Sequence, residues 1–300
     1  MGVWSKRILW LAFVGVAIAV SWHFRVHALL HYAALSLGVK EPTRTALSVL
    51  RDHHVQLEAK PIAGVDRNLS GLTFSRYTQT LFGVVNRPPA VVEIDTNGVW
   101  LRTIPLAGFH DTEGISHVRD DWFVISDERH HRLHWVQLGV AVTEVDASQT
   151  ISMQLPLLPR SNLGVEGVSW DDAQGRLVLV QEQWPQRVWV LQGLDQMPEG
   201  RLSRLDIATW QRPRWLDIVT ADLSSVTVHE PTGQWFFLSA ASGLVVQYDE
   251  SGRLVDTFPL WRSFRGLTHS IPQAEGMTFD DQGRLFIVSE PNLFYRFGPP

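Results

Sequence analysis

The chain contains 300 residues, of which 45% are hydrophobic and 19% charged, a balance that excludes a mostly disordered polypeptide and allows a substantial core. Its formal net charge of -5 argues against a nucleic-acid partner. Cysteine is absent, which excludes disulfides, thiol catalysis and cysteine-ligated metals. The lysines, Lys6, Lys40 and Lys60, all lie near the N-terminus, so the rest of the chain cannot perform Schiff-base chemistry.

The N-terminal segment has the pattern of an export signal or a membrane anchor. Lys6 and Arg7 precede an apolar run of 15 residues, 8–22. Because a comfortable span needs roughly 20 residues, a cleaved signal peptide and a buried helix are alternatives to an uncleaved anchor. We predict a signal anchor or signal peptide over residues 1–25 and a helical linker over residues 26–54. The positive charges before the run predict that the following domain lies outside the cytoplasm.

The remainder of the chain repeats one short unit, a pattern typical of β-propellers. A glycine, or a serine in the fourth unit, recurs at positions 71, 114, 167, 225 and 276, at intervals of 43, 53, 58 and 51 residues. A polar turn, an apolar strand and further hairpins follow each unit, and their Gly and Asn residues supply the positive φ that tight turns need. These intervals suit four-stranded propeller blades with loops of varying length.

The last unit ends after three strands, while a lone strand-like stretch, Val55 to Ile62, precedes the first unit. That stretch can supply the missing fourth strand and close the ring, which removes free sheet edges. We therefore predict an all-β, five-bladed β-propeller over residues 55–300. A six-bladed ring is the alternative, if the long interval around residues 201–220 contains a degenerate blade.

Acidic residues recur where the first strand of a unit begins and where its second strand ends. Adjacent strands are antiparallel, so both points lie at the same mouth of the central channel. The predicted metal ligands are Glu113, Glu166 and Glu275 at the first point, and Asp127, Glu128, Glu182 and Glu290 at the second. Asn86 takes the second position in the first unit.

Like charges repel by about 4 kcal/mol per pair at 4 Å and an effective dielectric near 20, so such a cluster needs protons, arginines or a cation. Oxygen ligands favour Ca²⁺ over Mg²⁺ or Mn²⁺. Arg87 and Arg129 lie beside these positions and offer an alternative source of neutralisation. A second alternative is that the Glu-Gly pairs are only turn residues whose side chains bond to backbone amides.

The sequence resembles the SdiA-regulated family of bacterial propeller proteins. The resemblance covers about residues 55–300 and is carried by several stretches: Leu69–Thr73, Val85–Pro89, Glu93–Asp95, Asp111–Ile115, Ile125–Arg129, Val165–Val168, Ile271–Gly276 and Val288–Leu293. It implies an N-terminal membrane anchor, a five-bladed propeller distantly similar to NHL repeats, and a bound calcium. Together with the charges before the apolar run, this predicts an anchor in the bacterial inner membrane and a propeller in the periplasm. The fourth unit departs from the acidic pattern, with Ser224 and Ser225 in place of Glu-Gly.

The sequence assigns no catalytic residue. We expect a membrane-tethered, calcium-binding module that binds a small ligand or an envelope protein. The alternative is a metal-dependent hydrolase of the lactonase or phosphoesterase class, with Glu128 or His110 as the base. A scaffold without a small ligand is the third reading, since the propeller fold by itself does not determine function.

Overall fold

The computed structural model describes residues 7, 10–16, 21, 26, 29–30, 32–33, 37, 46–155, 164–181, 186–202, 204–210 and 220–300. Residues 10–16 are helical. No helix in these described ranges is both long enough and apolar enough to cross a lipid bilayer. Two 3₁₀ turns, Ala147–Gln149 and Met197–Glu199, lie in connections between strands.

The β-strands form five antiparallel sheets, or blades, arranged as a ring. Blade 1 contains β2 (Leu69–Ser75), β3 (Thr80–Asn86), β4 (Pro89–Ile94) and β5 (Trp100–Ala107). Blade 2 contains β6 (Thr112–Arg119), β7 (Trp122–Asp127), β8 (Arg132–Gln137) and β10 (Ile151–Gln154), while the short β9 (Val145–Asp146) pairs in parallel with β5. Blade 3 contains β11 (Val165–Asp171), β12 (Arg176–Gln181), β13 (Arg187–Gln192) and β14 (Asp206–Thr209).

Blade 4 contains β15 (Ser225–His229), β16 (Gln234–Ser239), β17 (Leu244–Tyr248) and β18 (Leu254–Pro259). Blade 5 contains β19 (Ala274–Phe279), β20 (Leu285–Ser289) and β21 (Leu293–Gly298), and its outer strand is β1 (His54–Pro61). The first strand of the propeller therefore completes the last blade, with His54 opposite Gly298 and Pro61 opposite Leu293. This confirms the predicted five-bladed ring.

The six-bladed alternative is wrong for the part of the chain that the structure describes. The interval that suggested it contains β14, which is simply the outer strand of blade 3 and pairs with β13. Residues 211–219 of that interval lie outside the described ranges.

Buried apolar side chains fill the space between neighbouring blades. The described residues form five such clusters, one at each junction of the ring. Phe82 of blade 1 meets Phe123 of blade 2 with ring centroids 4.6 Å apart, and Phe236 of blade 4 meets Phe279 of blade 5 at 4.8 Å. Each side chain of this size contributes about 1.5–3 kcal/mol on burial, so the interblade packing is the main source of stability.

The inner strands of four blades begin with a β-bulge that includes the repeated glycine. One extra residue stands in β2, β6, β11 and β19 relative to the partner strand. An added Cβ at Gly114 would lie 2.9 Å from the Glu166 carbonyl oxygen, and one at Gly71 would lie 2.6 Å from the Glu113 carbonyl oxygen. The glycine is therefore required because the next blade's backbone occupies the space of a side chain.

A second contact joins the same inner strands through the hydroxyl residue two positions after the glycine. Thr73 accepts a hydrogen bond from His117 N at 3.0 Å, and Ser116 accepts one from Trp170 N at 2.8 Å. Equivalent bonds to Ser169 and Thr278 join blade 3 to blade 4 and blade 5 to blade 1. The inner strands are thus held in register with one another around the axis.

We expect Gly114→Ala to lower the free energy of unfolding by about 1–3 kcal/mol, because the added methyl overpacks the contact with blade 3. Denaturant unfolding followed by circular dichroism measures the change. Ser225→Ala is the matched control, since this position already carries a Cβ and blade 4 has no bulge there. Equal effects of the two substitutions would contradict the proposed role of the glycine.

Two buried histidines predict that the propeller loses stability in mild acid. Burial lowers the pKa of His134 to about 4 and that of His229 to about 4, both from a usual value of 6.5. The unfolded chain binds protons at these two histidines more readily than the folded chain does. The stability that the two neutral histidines contribute is therefore fully present above about pH 6.5 and is lost as the pH falls towards 4.

We expect the melting temperature to fall over this pH range, and His134→Gln to reduce the slope. The measurement is made in the presence of a chelator, so that metal release does not contribute. His54→Gln, at an exposed position, is the control and should leave the slope unchanged. A slope unaffected by His134→Gln would show that other groups cause the acid sensitivity.

Candidate metal centre

Three of the predicted ligands meet at one mouth of the channel. One carboxylate oxygen each of Glu113, Glu128 and Glu166 lies within 4.8 Å of the other two. All three side chains are half-buried. Glu113 and Glu166 stand on the bulges of blades 2 and 3, and Glu128 follows the last residue of β7. We call these residues the glutamate group.

Glu128 is held in place by the chain that leads into blade 3. Gly164 N donates a hydrogen bond to Glu128 Oε1 at 3.1 Å. A Cβ on Gly164 would lie 1.7 Å from Glu128 Cγ, so a larger residue there would displace the glutamate. Gly164 therefore positions a candidate ligand through both its amide and its lack of a side chain.

Asn86 of blade 1 adds an amide to the glutamate group. Its Nδ2 donates a hydrogen bond to Glu113 Oε1 at 2.9 Å. Its Oδ1 is buried and has no hydrogen-bond partner among the described residues. An unsatisfied buried carbonyl oxygen is costly, and a cation or a water molecule beside it would remove that cost.

The chemistry of these residues fits a hard cation. Three carboxylates at this separation repel one another, by about 4 kcal/mol for a pair of charges 4 Å apart at an effective dielectric near 20. Arg87, one of the predicted sources of neutralisation, instead pairs with Asp111 at 3.0 Å. Carboxylate and amide oxygens are the ligands that Ca²⁺ prefers. Glu113, Glu128 and Glu166 with Asn86 Oδ1 are the residues that could hold it.

The other predicted ligands occupy different places. Asp127 is buried and lies with His110 and His130 instead of with the glutamate group. Glu275 stands on the bulge of blade 5 and Glu290 directly follows β20, but no group of three His, Asp or Glu donors within the described ranges includes either of them. Glu182 lies outside the described residues. Of the two residues named as a possible base, Glu128 belongs to the glutamate group, and His110 lies with Asp127 and His130.

Blade 4 replaces the acidic pattern with hydrogen bonds inside the protein. Ser224 Oγ donates to the Ala274 carbonyl oxygen of blade 5 at 2.8 Å. Asp222, two residues earlier, accepts hydrogen bonds from Ser239 Oγ and, at 2.9 Å, from Ala241 N. Asp222 is therefore hydrogen-bonded to the second strand of its own blade and to the turn that follows that strand.

The opposite mouth of the channel holds a cavity. It has a volume of about 70 Å³ and is lined by the hydroxyl residues of the inner strands. Arg76 pairs there with Asp281 at 3.1 Å and with Asp172 at 3.8 Å, and burial raises the pKa of Glu230. This volume admits only a few water molecules, and Asp281 and Asp172 at this mouth pair with Arg76.

The repeat alone does not reveal Gly164, which positions Glu128, or His130, which lies with Asp127 and His110. Gly164 lies outside the repeated unit, and its only sequence signal is that it directly precedes Val165 and Glu166. His130 follows Glu128 by two residues, but its partner His110 belongs to a different connection. Both cases depend on loop conformations for which the repeat carries no information.

The chain is similar to one protein family and to several solved structures. The family described as SdiA-regulated matches residues 45–298. Among solved structures, the nidogen/laminin complex aligns with 12% identity and a TM-score of 0.49, covering 79% of this chain and 85% of that chain. A luciferin-regenerating enzyme aligns with 13% identity and a TM-score of 0.49, covering 78% and 92%. Virginiamycin B lyase from Staphylococcus aureus aligns with 10% identity and a TM-score of 0.47, covering 83% and 100%.

The family match covers every strand of the propeller, from β1 to β21. The chain belongs to the SdiA-regulated family.

Proposed function

We propose that this member of the SdiA-regulated family is a Ca²⁺-binding propeller that presents a binding surface for a small ligand or an envelope protein. The observation that carries the proposal is the convergence of Glu113, Glu128 and Glu166 within 4.8 Å beside the unsatisfied oxygen of Asn86. These residues come from blades 1, 2 and 3, so a cation bound there would join three blades at one mouth.

Bound Ca²⁺ would supply positive charge and vacant coordination positions. Ca²⁺ takes 6–8 oxygen ligands, more than the four side chains provide if each gives one oxygen. Water or an oxygen atom of a ligand would fill the remaining positions. The protein's own contribution is to hold the carboxylates close together, which the bulges and the Gly164 contact achieve before any ion binds.

A membrane tether in the N-terminal segment is the second part of the proposal. Trp10, Leu11, Phe13 and Val16 of the 10–16 helix expose between 62% and 70% of their surface. Exposed apolar side chains on a helix that follows Lys6 and Arg7 suit insertion into a lipid bilayer. By the charge rule, the propeller would then lie on the periplasmic side of a bacterial inner membrane.

We expect Glu166→Gln to weaken Ca²⁺ binding at least tenfold, which corresponds to about 1.4 kcal/mol, because it removes one of three converging charges. Isothermal titration calorimetry of the chelator-treated full chain measures the affinity. Ca²⁺ at 100 times its Kd should stabilise the parent protein by about 2.7 kcal/mol, and a chelator should abolish this effect.

Glu144→Gln removes the same charge from an exposed position outside the glutamate group and should leave the affinity unchanged. Glu275→Gln tests how far the site extends. A loss of Ca²⁺ affinity equal to that of Glu166→Gln would show that the site includes blade 5. A melting temperature that neither Ca²⁺ nor chelator changes, together with no calcium in elemental analysis, would reject the metal.

We expect the cysteine of Val140→Cys to react with a membrane-impermeant maleimide in bacterial cells whose outer membrane has been permeabilised and whose inner membrane is intact. Val140 is 83% exposed, and the chain has no other cysteine to interfere. The same variant in lysed cells is the control for reactivity. Labelling only after lysis would place the propeller in the cytoplasm, and recovery of the full chain in the soluble fraction would reject the tether.

A further inference from the structure

We propose that His110, Asp127 and His130 form a second metal site, which binds a divalent transition-metal ion such as Zn²⁺. One donor atom of each residue lies within 4.8 Å of the other two. His110 belongs to the connection between β5 and β6, Asp127 ends β7, and His130 lies in the turn before β8. The site uses none of the glutamate group, so it does not depend on the proposed Ca²⁺ site.

Asp127 organises both loops that carry the histidines. Its side chain is only 1% exposed. Asp127 Oδ2 accepts a hydrogen bond from His110 N at 3.0 Å, and Oδ1 accepts one from His130 N at 3.0 Å. The backbone of each histidine is therefore fixed by the same buried carboxylate, which reduces the entropy lost when both rings bind one ion.

The imidazole rings of His110 and His130 lie close together and are accessible, and Asp127 fixes the orientation of His130. Their ring centroids are 4.7 Å apart with an interplanar angle of 88°, and both residues are exposed. His130 Nδ1 lies 3.0 Å from Asp127 Oδ2, and because a carboxylate oxygen accepts, the ring donates its Nδ1–H in this contact. That tautomer leaves the Nε2 lone pair for a metal, the carboxylate–histidine–metal arrangement that orients ligands in many metal centres.

The nitrogen donors distinguish this site from the glutamate group. Imidazole favours Zn²⁺ and its transition-metal neighbours, whereas Ca²⁺ is bound almost entirely by oxygen. Two imidazoles and two water molecules would complete the four-ligand tetrahedral shell that Zn²⁺ prefers, while Asp127 orients His130 from outside that shell. Asp127 and Glu128 are adjacent in the chain yet belong to different groups. One turn of blade 2 thus contributes to a nitrogen-rich site and to an all-oxygen site.

Competition with a chromophoric zinc chelator tests the proposal on the full chain, purified without a histidine tag and stripped of metal. We expect one Zn²⁺ per chain, at least tenfold weaker binding in His110→Gln and in His130→Gln, and loss of the site in the double variant. His54→Gln removes an exposed histidine elsewhere and should have no effect. Glu166→Gln should change Zn²⁺ affinity less than twofold, so failure of the Ca²⁺ site and failure of this site are separable.

X-ray absorption of the Zn²⁺-loaded parent protein provides a test that requires no variant. The expected spectrum shows imidazole nitrogens at about 2.0–2.1 Å, with outer-shell scattering from two rings. A spectrum with oxygen ligands alone would overturn the proposal. Equal Zn²⁺ affinity of the parent and the double variant would overturn it too, as would the lack of any saturable site tighter than about 1 mM.

Discussion

The inner strands of neighbouring blades approach so closely that the Cα of a glycine in one strand lies against the backbone of the next. At Gly71, Gly114, Gly167 and Gly276, a Cβ would come within 2.6–2.9 Å of an atom in the following blade. Tight packing at the axis lets the apolar clusters between the blades close, and it places the hydroxyl residues where they accept a hydrogen bond from the next strand.

The same contact determines where the acids point. The glycine belongs to a β-bulge, and a bulge adds a residue that redirects its side chain out of the regular alternation of the strand. In blades 2 and 3, Glu113 and Glu166 occupy that bulge and meet at the channel mouth. Blade 4, which has Ser224 and Ser225, has no bulge within β15 and contributes no carboxylate to the glutamate group. Structural and chemical explanations of the Glu-Gly pair are therefore complementary, because the glycine serves packing and the glutamate occupies the resulting position.

Neighbouring residues of blade 2 separate into two chemically different groups. Asp127 is buried and accepts hydrogen bonds from two histidine backbones, whereas Glu128 is half-buried and accepts one from Gly164. Charge is distributed differently at the other mouth, where Arg76 pairs with Asp281 and Asp172 around a cavity of about 70 Å³. The two ends of the channel therefore offer different environments, and the carboxylates at the glutamate mouth make it the better place for a cation.

The amino-acid sequence by itself determined the propeller architecture, the inner and second strands of each blade and the closure of the ring by β1, while the pairing of β14 with β13 decided between five and six blades. These features follow from a repeat and from the alternation of apolar and polar residues, both of which are local. Only the tertiary structure decided which acids meet. Glu113, Glu128 and Glu166 converge because two bulges and the chain at Gly164 bring them together, while Asp127 turns towards His110 and His130. A repeat specifies which strand end carries an acid, but the direction of each side chain depends on loop conformation and on contacts between residues distant in the chain.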